Sequence, residues 1–164
     1  MLARLLLVAM LLAAGRPALA APAPDAPAIG AHTIRADDGI LQLAHDAGFT
    51  WMLQLVEWRE VEPVAGEYFW EYTDWLVRAA EYYGLELILR LDHPPAWATM
   101  PAEDVPVDLE AYADIVARVA ERYGGRVAGY VIWNEPNLAL EWLGRRPDPA
   151  GYTRRELYRS PRHG

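Results

Sequence analysis

The stretch Glu71–Leu91, EYTDWLVRAAEYYGLELILRL, holds a helix, a glycine stop and a strand in direct succession. Its first half places apolar residues such as Trp75 and Ala79 along one face at helical spacing. Gly84 then ends the helix, and the apolar run Leu85–Leu91 follows at once. The stretch therefore predicts an amphipathic helix that leads directly into a buried strand.

The same order of elements continues on both sides of this stretch. The sequence predicts strand 28–34, helix 37–47, strand 49–56, helix 71–83, strand 85–91, helix 108–123, strand 127–133 and the start of a further helix at 149–158. Strands joined by single helices run parallel, and apolar residues on both strand faces fit a sheet that is covered on both sides. Two α/β architectures remain open: a doubly wound sheet, and a TIM-barrel-like (β/α) repeat that stops after its fourth strand as a half barrel.

Composition and charge exclude several functional classes. The 164 residues include no Cys and carry a formal net charge of −8, which excludes disulfide scaffolds and thiol catalysis. Residues 22–144 hold seven Arg against twenty-one Asp and Glu, and such an acidic body repels phosphate backbones. No nucleic-acid partner is expected. No Gly-x-Gly-x-x-Gly follows a predicted strand, which argues against a third possibility, a nucleotide-binding domain.

The N-terminal segment has the pattern of an export signal. Residues 1–20 combine an early Arg, an apolar run and a small-residue cleavage site, and the run is well short of the ~20 residues that span a bilayer. We expect cleavage after Ala20, secretion to the extracellular space or periplasm, and no membrane contact afterwards. Residues 21–28 alternate Pro with small residues and predict an extended linker. The alternative is an uncleaved anchor helix.

The predicted carboxyl ends of the strands collect tryptophans and carboxylates. Such loops form the working face of both candidate folds. Indole rings suit the C–H faces of sugars, and carboxylates can bind hydroxyls or transfer protons. These positions therefore point to a carbohydrate ligand. For Trp51, Trp75 and Trp133 a core role is the favoured alternative, whereas Trp58, Trp97 and Trp142 fit a sugar platform and loop packing equally well.

Four motifs carry a resemblance to a known enzyme superfamily. They are VIWNEPN (131–137) at the end of the fourth strand, EWREVEPVAGEYFW (57–70), PPAWA (94–98) and ERYGGRV (121–127). In this order they resemble the clan A glycoside hydrolases, (β/α)8 barrels of the cellulase family 5 and β-xylosidase family 39 type. The resemblance covers residues 29–152, which would form the N-terminal half of the catalytic domain.

The resemblance implies roles for individual residues. Glu135 would be the general acid/base of a retaining mechanism, and Asn134 would bind the sugar 2-hydroxyl. His93 and Trp97, together with Trp58 and Trp133, are the further candidates for substrate binding. Alternatively, Asn134 caps a following helix that has Pro136 in its first turn, and His93 is a histidine satisfied by loop backbone. The mechanism needs no cofactor, and no metal-ligand cluster is visible.

The fourth strand is also where the family motifs stop. In the family the nucleophile follows the seventh strand, so we expect a fragment that carries the acid/base and is inactive alone. Residues 153–164 form an atypical Arg-rich tail, which fits either a truncated gene product or a natural short protein. A half barrel has open edges and could pair with a second half-barrel. The second hypothesis for function is a catalytically silent carbohydrate-binding or assembly module.

Overall fold

The computed structural model describes residues 28–103 and 105–157, with side chains described as far as Thr153. The predicted signal peptide 1–20, the linker up to residue 27 and residues 158–164 of the predicted tail lie outside the described residues. No helix within the described ranges is long and apolar enough to cross a membrane.

Strands and helices alternate along the described chain. Its elements are β1 (Gly30–Thr33), α1 (Asp38–Asp46), β2 (Trp51–Glu57), α2 (Trp58–Val61), α3 (Glu71–Tyr83), β3 (Glu86–Asp92), α4 (Leu109–Tyr123), β4 (Gly129–Ile132) and α5 (Pro149–Leu157). Short 3-10 turns at Ala96–Ala98 and Ala139–Trp142 follow β3 and β4.

The four strands form one parallel sheet in the order β1-β2-β3-β4. A doubly wound sheet reverses its strand order at a switch point, whereas neighbours in a barrel follow one another around the sheet. Of the two architectures that the sequence left open, the observed order matches the half barrel. Among the described strands, β1 and β4 each pair with one neighbour and form the two edges.

The helices cover one face of this sheet and leave the other partly open. Met52 and Leu89 on the covered face share a core with Leu76 of α3 and Ile115 of α4. On the opposite, inner face the register aligns Leu53 with Ile88, Leu55 with Arg90, and Glu57 with Asp92. The inner face therefore changes from half-buried apolar residues to charged residues as the strands approach their carboxyl ends.

Local hydrogen bonds fix the ends of the helices. The Asp37 side chain accepts from the Ile40 backbone N–H at the start of α1, and Asp108 accepts from two N–H groups at the start of α4. Gly84 ends α3 with φ +67°, a left-handed conformation that glycine adopts without steric cost.

Strand limits differ from the sequence expectation by one or two residues. β2 and β3 each extend one residue further than predicted because Glu57 and Asp92 pair across the sheet. The edge strands β1 and β4 are shorter than predicted because each has only one described neighbour to pair with. The residues after β2, predicted as a loop, begin with the helical turn α2.

A close contact joins the starts of β1 and β2. The ring of Trp51 lies over Gly30, where an added Cβ would fall 2.0 Å from the ring atom Cδ2. Only glycine fits under the ring at this position.

Candidate functional site

The carboxyl ends of β2, β3 and β4 bring several of the predicted site residues to one edge of the sheet. Glu57 is the last residue of β2 and Asp92 is the last residue of β3. Asn134 and Glu135 follow β4, two and three residues after its last residue, Ile132. This is the edge at which barrel enzymes carry their active sites.

A first group of contacts centres on Glu57. Its Oε2 lies 3.2 Å from Nδ1 of His93, and it also forms an ion pair with Arg59 of α2. Partial burial acts to raise the pKa of Glu57, but hydrogen bonds from His93 and Arg59 outweigh it and the net pKa is lowered. Glu57 is therefore an ionised carboxylate that holds His93 at the end of β3.

A second group of contacts joins β3 to the segment after β4. The Arg90 guanidinium, buried on the inner face, donates to Oδ1 of Asn134 at 3.0 Å. Nδ2 of Asn134 donates in turn to Oε2 of the exposed Glu135 at 3.0 Å. No α-helix starts at Asn134, so the helix-cap alternative does not describe this segment. The amide instead connects an arginine to the candidate acid/base.

The backbone around these residues is strained. His93, Trp133 and Glu135 have φ values of 55°, 65° and 38°, in the left-handed region that non-glycine residues rarely adopt. Each such residue costs on the order of 1–3 kcal/mol, and such strain is concentrated at functional sites. All three lie at the carboxyl edge of the sheet, directly after β3 and β4.

A cavity of about 380 Å³ opens beside these residues. Asp92, His93 and Trp133 line it together with Glu141 from the turn after β4. Asp92 is 2% exposed, and its Oδ1 accepts from the His93 backbone N–H at 2.8 Å. In the described part of the chain, no group of three or more His, Asp or Glu side chains could hold a metal ion.

The candidate tryptophans occupy different environments. Trp58 is fully buried and donates from Nε1 to Glu62, so in this structure its ring packs in the core, beyond the reach of a ligand. Trp97 is half-buried, and its Nε1 donates to the Glu62 backbone carbonyl. Trp133 is 4% exposed and contributes to the cavity wall. Loop packing, the alternative that the sequence left open, accounts for Trp58.

Sequence reasoning missed two residues of this edge, Arg90 and Glu141. Arg90 has a signal in the sequence, because a charge inside the apolar strand LELILRLD must find a partner once it is buried. Glu141 has no such signal in the sequence. Nothing in its spacing from Glu135 predicts that the 3-10 turn brings the two carboxyls close together.

The fold and the site edge together define a partial TIM barrel with polar residues at the carboxyl ends of its strands. No protein-family model matches the chain, and no curated protein matches it either. Solved structures do match. The chain is structurally similar to TIM-barrel glycoside hydrolases of families 39, 1 and 5 over part of their length.

Three of these structures show the extent of the similarity. A family 39 glycoside hydrolase from the gut symbiont Bacteroides cellulosilyticus is 27% identical, with a TM-score of 0.56 over 66% of this chain and 24% of its own. A family 1 beta-glucosidase from Exiguobacterium antarcticum is 17% identical, with a TM-score of 0.54 over 73% and 30%. A family 5 enzyme from Bifidobacterium longum, solved with Manb1-4GlcNAc, is 15% identical, with a TM-score of 0.56 over 76% and 35%.

The chain thus spans about a quarter to a third of the length of these solved glycosidases. The first comparison supports a structural relation to a glycosidase. The other two support the barrel fold alone.

Proposed function

We propose that this chain supplies the acid/base half of a secreted, retaining glycoside hydrolase that cleaves O-glycosyl bonds in a polysaccharide or oligosaccharide. Glu135 is the general acid/base, which protonates the glycosidic oxygen and later deprotonates the attacking water. Asn134 binds the 2-hydroxyl of the sugar that is cleaved. His93, Trp97 and Trp133 contribute to binding the substrate.

One observation carries this proposal. The Asn134–Glu135 pair lies at the carboxyl end of β4, oriented by the buried Arg90, in a sheet similar to that of glycoside hydrolases. The Arg90 guanidinium carries only N–H donors, so it must face Oδ1 of Asn134, which leaves Nδ2 to face Glu135. An amide oriented in this way can donate to a carboxylate and to a sugar hydroxyl from the same Nδ2.

The family motifs assign neither Glu57 nor Asp92 as the second carboxyl of a retaining mechanism. A retaining pair lies ~5–5.5 Å apart, with one member free to attack carbon. Glu57 is paired with His93 and Arg59, and Asp92 is buried with its Oδ1 bound to the His93 backbone N–H. We expect the nucleophile from strands beyond the four described here, and therefore no hydrolysis by this chain alone.

Two assays on the purified chain test the proposal. Isothermal titration with xylo- and cello-oligosaccharides is expected to show saturable binding, weakened by Asn134→Ala and unchanged by the exposed control Glu67→Gln. Incubation with aryl glycosides is expected to give no turnover. Turnover that Glu135→Gln abolishes would show that the chain has its own nucleophile, and folded protein without any sugar binding would overturn the carbohydrate assignment.

The second candidate function is a catalytically silent carbohydrate-binding or assembly module. The cavity beside Trp133 and Asp92 favours it, because that cavity is formed by the described residues alone. Fusing the chain to strands five to eight of the family 39 relative separates the two candidates. Hydrolysis by the fusion that depends on Glu135 supports the enzyme, whereas sugar binding with no hydrolysis supports the module.

A further inference from the structure

Glu141 faces the same cavity as the candidate site, and nothing in the family motifs assigns it a role. It lies in the 3-10 turn Ala139–Trp142, whose last residue is buried and donates from its indole Nε1 to the Pro136 carbonyl at 2.8 Å. This hydrogen bond joins Trp142 to the residue six positions before it and so holds segment 136–142 in a compact loop. Glu141 is therefore fixed close to Glu135 by the packing of its neighbour Trp142.

The surroundings of Glu141 favour its neutral form. Burial raises its pKa above the ordinary value of 4.5, and the carboxylates of Asp92 and Glu135 raise it further. The Asn134 amide and His93 act in the opposite direction without cancelling the rise. Arg59 lines the same cavity from α2. Leu140 and Leu143 also line the cavity, near Glu141 in the chain.

A hydrogen-bond acceptor lies in the same cavity. Oδ2 of Asp92 is buried and accepts no hydrogen bond from the described residues, although Nε of Arg90 is 3.9 Å away. A buried carboxylate oxygen that lines a cavity costs free energy until a donor reaches it. A bound hydroxyl group can supply that donor. The same hydroxyl oxygen can accept one hydrogen bond from a second group.

We propose that Glu141 is a sugar-binding residue of this site, and that in its neutral form it donates a hydrogen bond to a substrate hydroxyl that donates to Asp92. This inference rests on the proposed carbohydrate function and extends it to a residue outside the family motifs. The ligand group is a hydroxyl, because the pairing needs a group that both donates and accepts, and a sugar, the ligand class of the proposed function, carries several such groups. A ketone or ether oxygen only accepts, so it would leave Asp92 without a donor.

The proposal predicts a specific pH dependence of binding. Only the fraction of Glu141 that is neutral binds well, so the apparent Kd rises by about tenfold for each pH unit above the point at which Glu141 ionises. Glu141→Gln keeps a donor at every pH, and its affinity is expected to stay nearly constant across the same range. The two proteins share every other ionisable group, so the difference between them isolates Glu141.

Two measurements on the full chain provide the test. The first is a carbon-detected NMR titration of the Glu side-chain carboxyls, in which the Glu141 signal is assigned in the wild-type protein by through-bond correlation to its own backbone. Its midpoint is expected above the ordinary value of 4.5 and should fall in Asp92→Asn, which removes a neighbouring charge. The second is isothermal titration with xylotriose and cellotriose from about pH 5 to about pH 7, for wild type, Glu141→Gln and the control Glu67→Gln.

The outcomes separate this inference from the proposed function. Sugar binding with the same pH dependence in wild type and Glu141→Gln overturns the role of Glu141 and leaves the carbohydrate assignment standing. An elevated Glu141 midpoint with no sugar binding in any variant overturns the carbohydrate assignment itself. An ordinary midpoint overturns the inference directly. The titration of wild type needs no substituted protein, so it tests the inference even if Glu141→Gln fails to fold.

Discussion

Glu62 is the residue that ties the segment after β2 to the rest of the molecule. It is 5% exposed, and its two carboxylate oxygens accept from Trp58 Nε1 and from the Gly66 backbone N–H, both at 2.8 Å. Its own backbone carbonyl accepts from Trp97 Nε1 at 3.1 Å. Glu62 thus braces the segment after β2 through three hydrogen bonds.

Replacing Glu62 is expected to destabilise the fold. Glu62→Ala leaves the buried Trp58 N–H without its acceptor, at a cost of about 2 kcal/mol in the free energy of unfolding. Glu62→Gln keeps one carbonyl oxygen and should lose less. Urea denaturation measures both, with the exposed Glu67→Ala as a control that should change by less than about 0.5 kcal/mol. Equal losses in Glu62→Ala and Glu67→Ala would contradict the bracing role.

Asp74 gives the fold a dependence on acid. Its carboxylate accepts from Arg122 at 2.8 and 2.6 Å and from the Tyr123 hydroxyl at 2.8 Å. The hydrogen bonds from Arg122 hold the pKa of Asp74 below its ordinary value of 3.8. Because the folded-state pKa is depressed, the stabilisation is present above pH 3.8 and is lost as the pH falls through the folded-state value.

Removing the Asp74 charge should therefore make the free energy of unfolding depend less strongly on pH in the acidic range. In Asp74→Asn the free energy of unfolding is expected to fall less steeply than in wild type between about pH 5 and about pH 2. Chemical denaturation across this pH range provides the measurement. Glu67→Gln serves as the matched removal of an exposed carboxylate. Parallel profiles for wild type and Asp74→Asn would rule out this contribution.

Sequence reasoning reached some site residues and not others for identifiable reasons. Asn134 and Glu135 lie in a contiguous motif at the end of a predicted strand, so their position could be predicted directly. Trp58 was a candidate sugar-binding residue, but its ring lies in the core and its Nε1 donates to Glu62. The orientation of this ring depends on tertiary packing and cannot be predicted from local sequence. Arg90 and Glu141 come close to Asn134 and Glu135 only through strand pairing and the turn after β4, which the sequence does not show.

At the scale of elements, the side chain of Asp108 sets the start of α4. Its Oδ1 accepts from the backbone N–H groups of Glu110 and Ala111 at 3.0 and 3.1 Å. These are two of the donors that have no partner within the first turn of a helix. The cap thereby joins the long segment after β3 to the helix that covers the sheet.

Loss of this cap has a defined cost. Asp108→Ala is expected to lower the free energy of unfolding by about 1 kcal/mol. Asp108→Asn, which keeps an acceptor oxygen, should lose much less. Thermal or urea unfolding of the three proteins measures the effect. A loss in the Asn variant as large as in the Ala variant would point to the charge of Asp108 and not to its cap geometry.

Helices were predicted more accurately than strands. The limits of α3 agree with the sequence expectation, since an apolar stripe and Gly84 define them locally. Strand limits shifted because they depend on which neighbour offers a hydrogen bond, as the Glu57–Asp92 pairing shows. The helical turn α2 has only four residues, too few for a periodic pattern to reveal it.

At the scale of the whole molecule, the parallel order of the strands followed from the alternation of elements in the sequence. The choice between the two α/β architectures did not, because both share the same local pattern. Among the described strands, β1 and β4 each have one unpaired edge, and the inner face of the sheet is only partly covered. Ile34, which directly follows the edge strand β1, is 67% exposed.

Such an open sheet is expected to associate. Unpaired strand edges and exposed apolar residues favour pairing between copies or with a second half-barrel. We expect the weight-average mass of the purified chain in sedimentation to rise with concentration. His32→Lys places a charge on the β1 edge and should reduce the association, whereas Glu67→Lys, far from the edges, should not. A concentration-independent monomer would show that these edges are protected.

The contact between Gly30 and Trp51 has a consequence for the evolution of this fold. With a Cβ at position 30 only 2.0 Å from the indole, a larger residue at position 30 requires that the Trp51 ring moves or is replaced by a smaller side chain. In homologous chains we expect correlated substitution: an aromatic residue at the start of β2 accompanies glycine at the start of β1, and a larger residue in β1 accompanies a small one in β2. One pair of alignment columns would thus record the register of the first two strands.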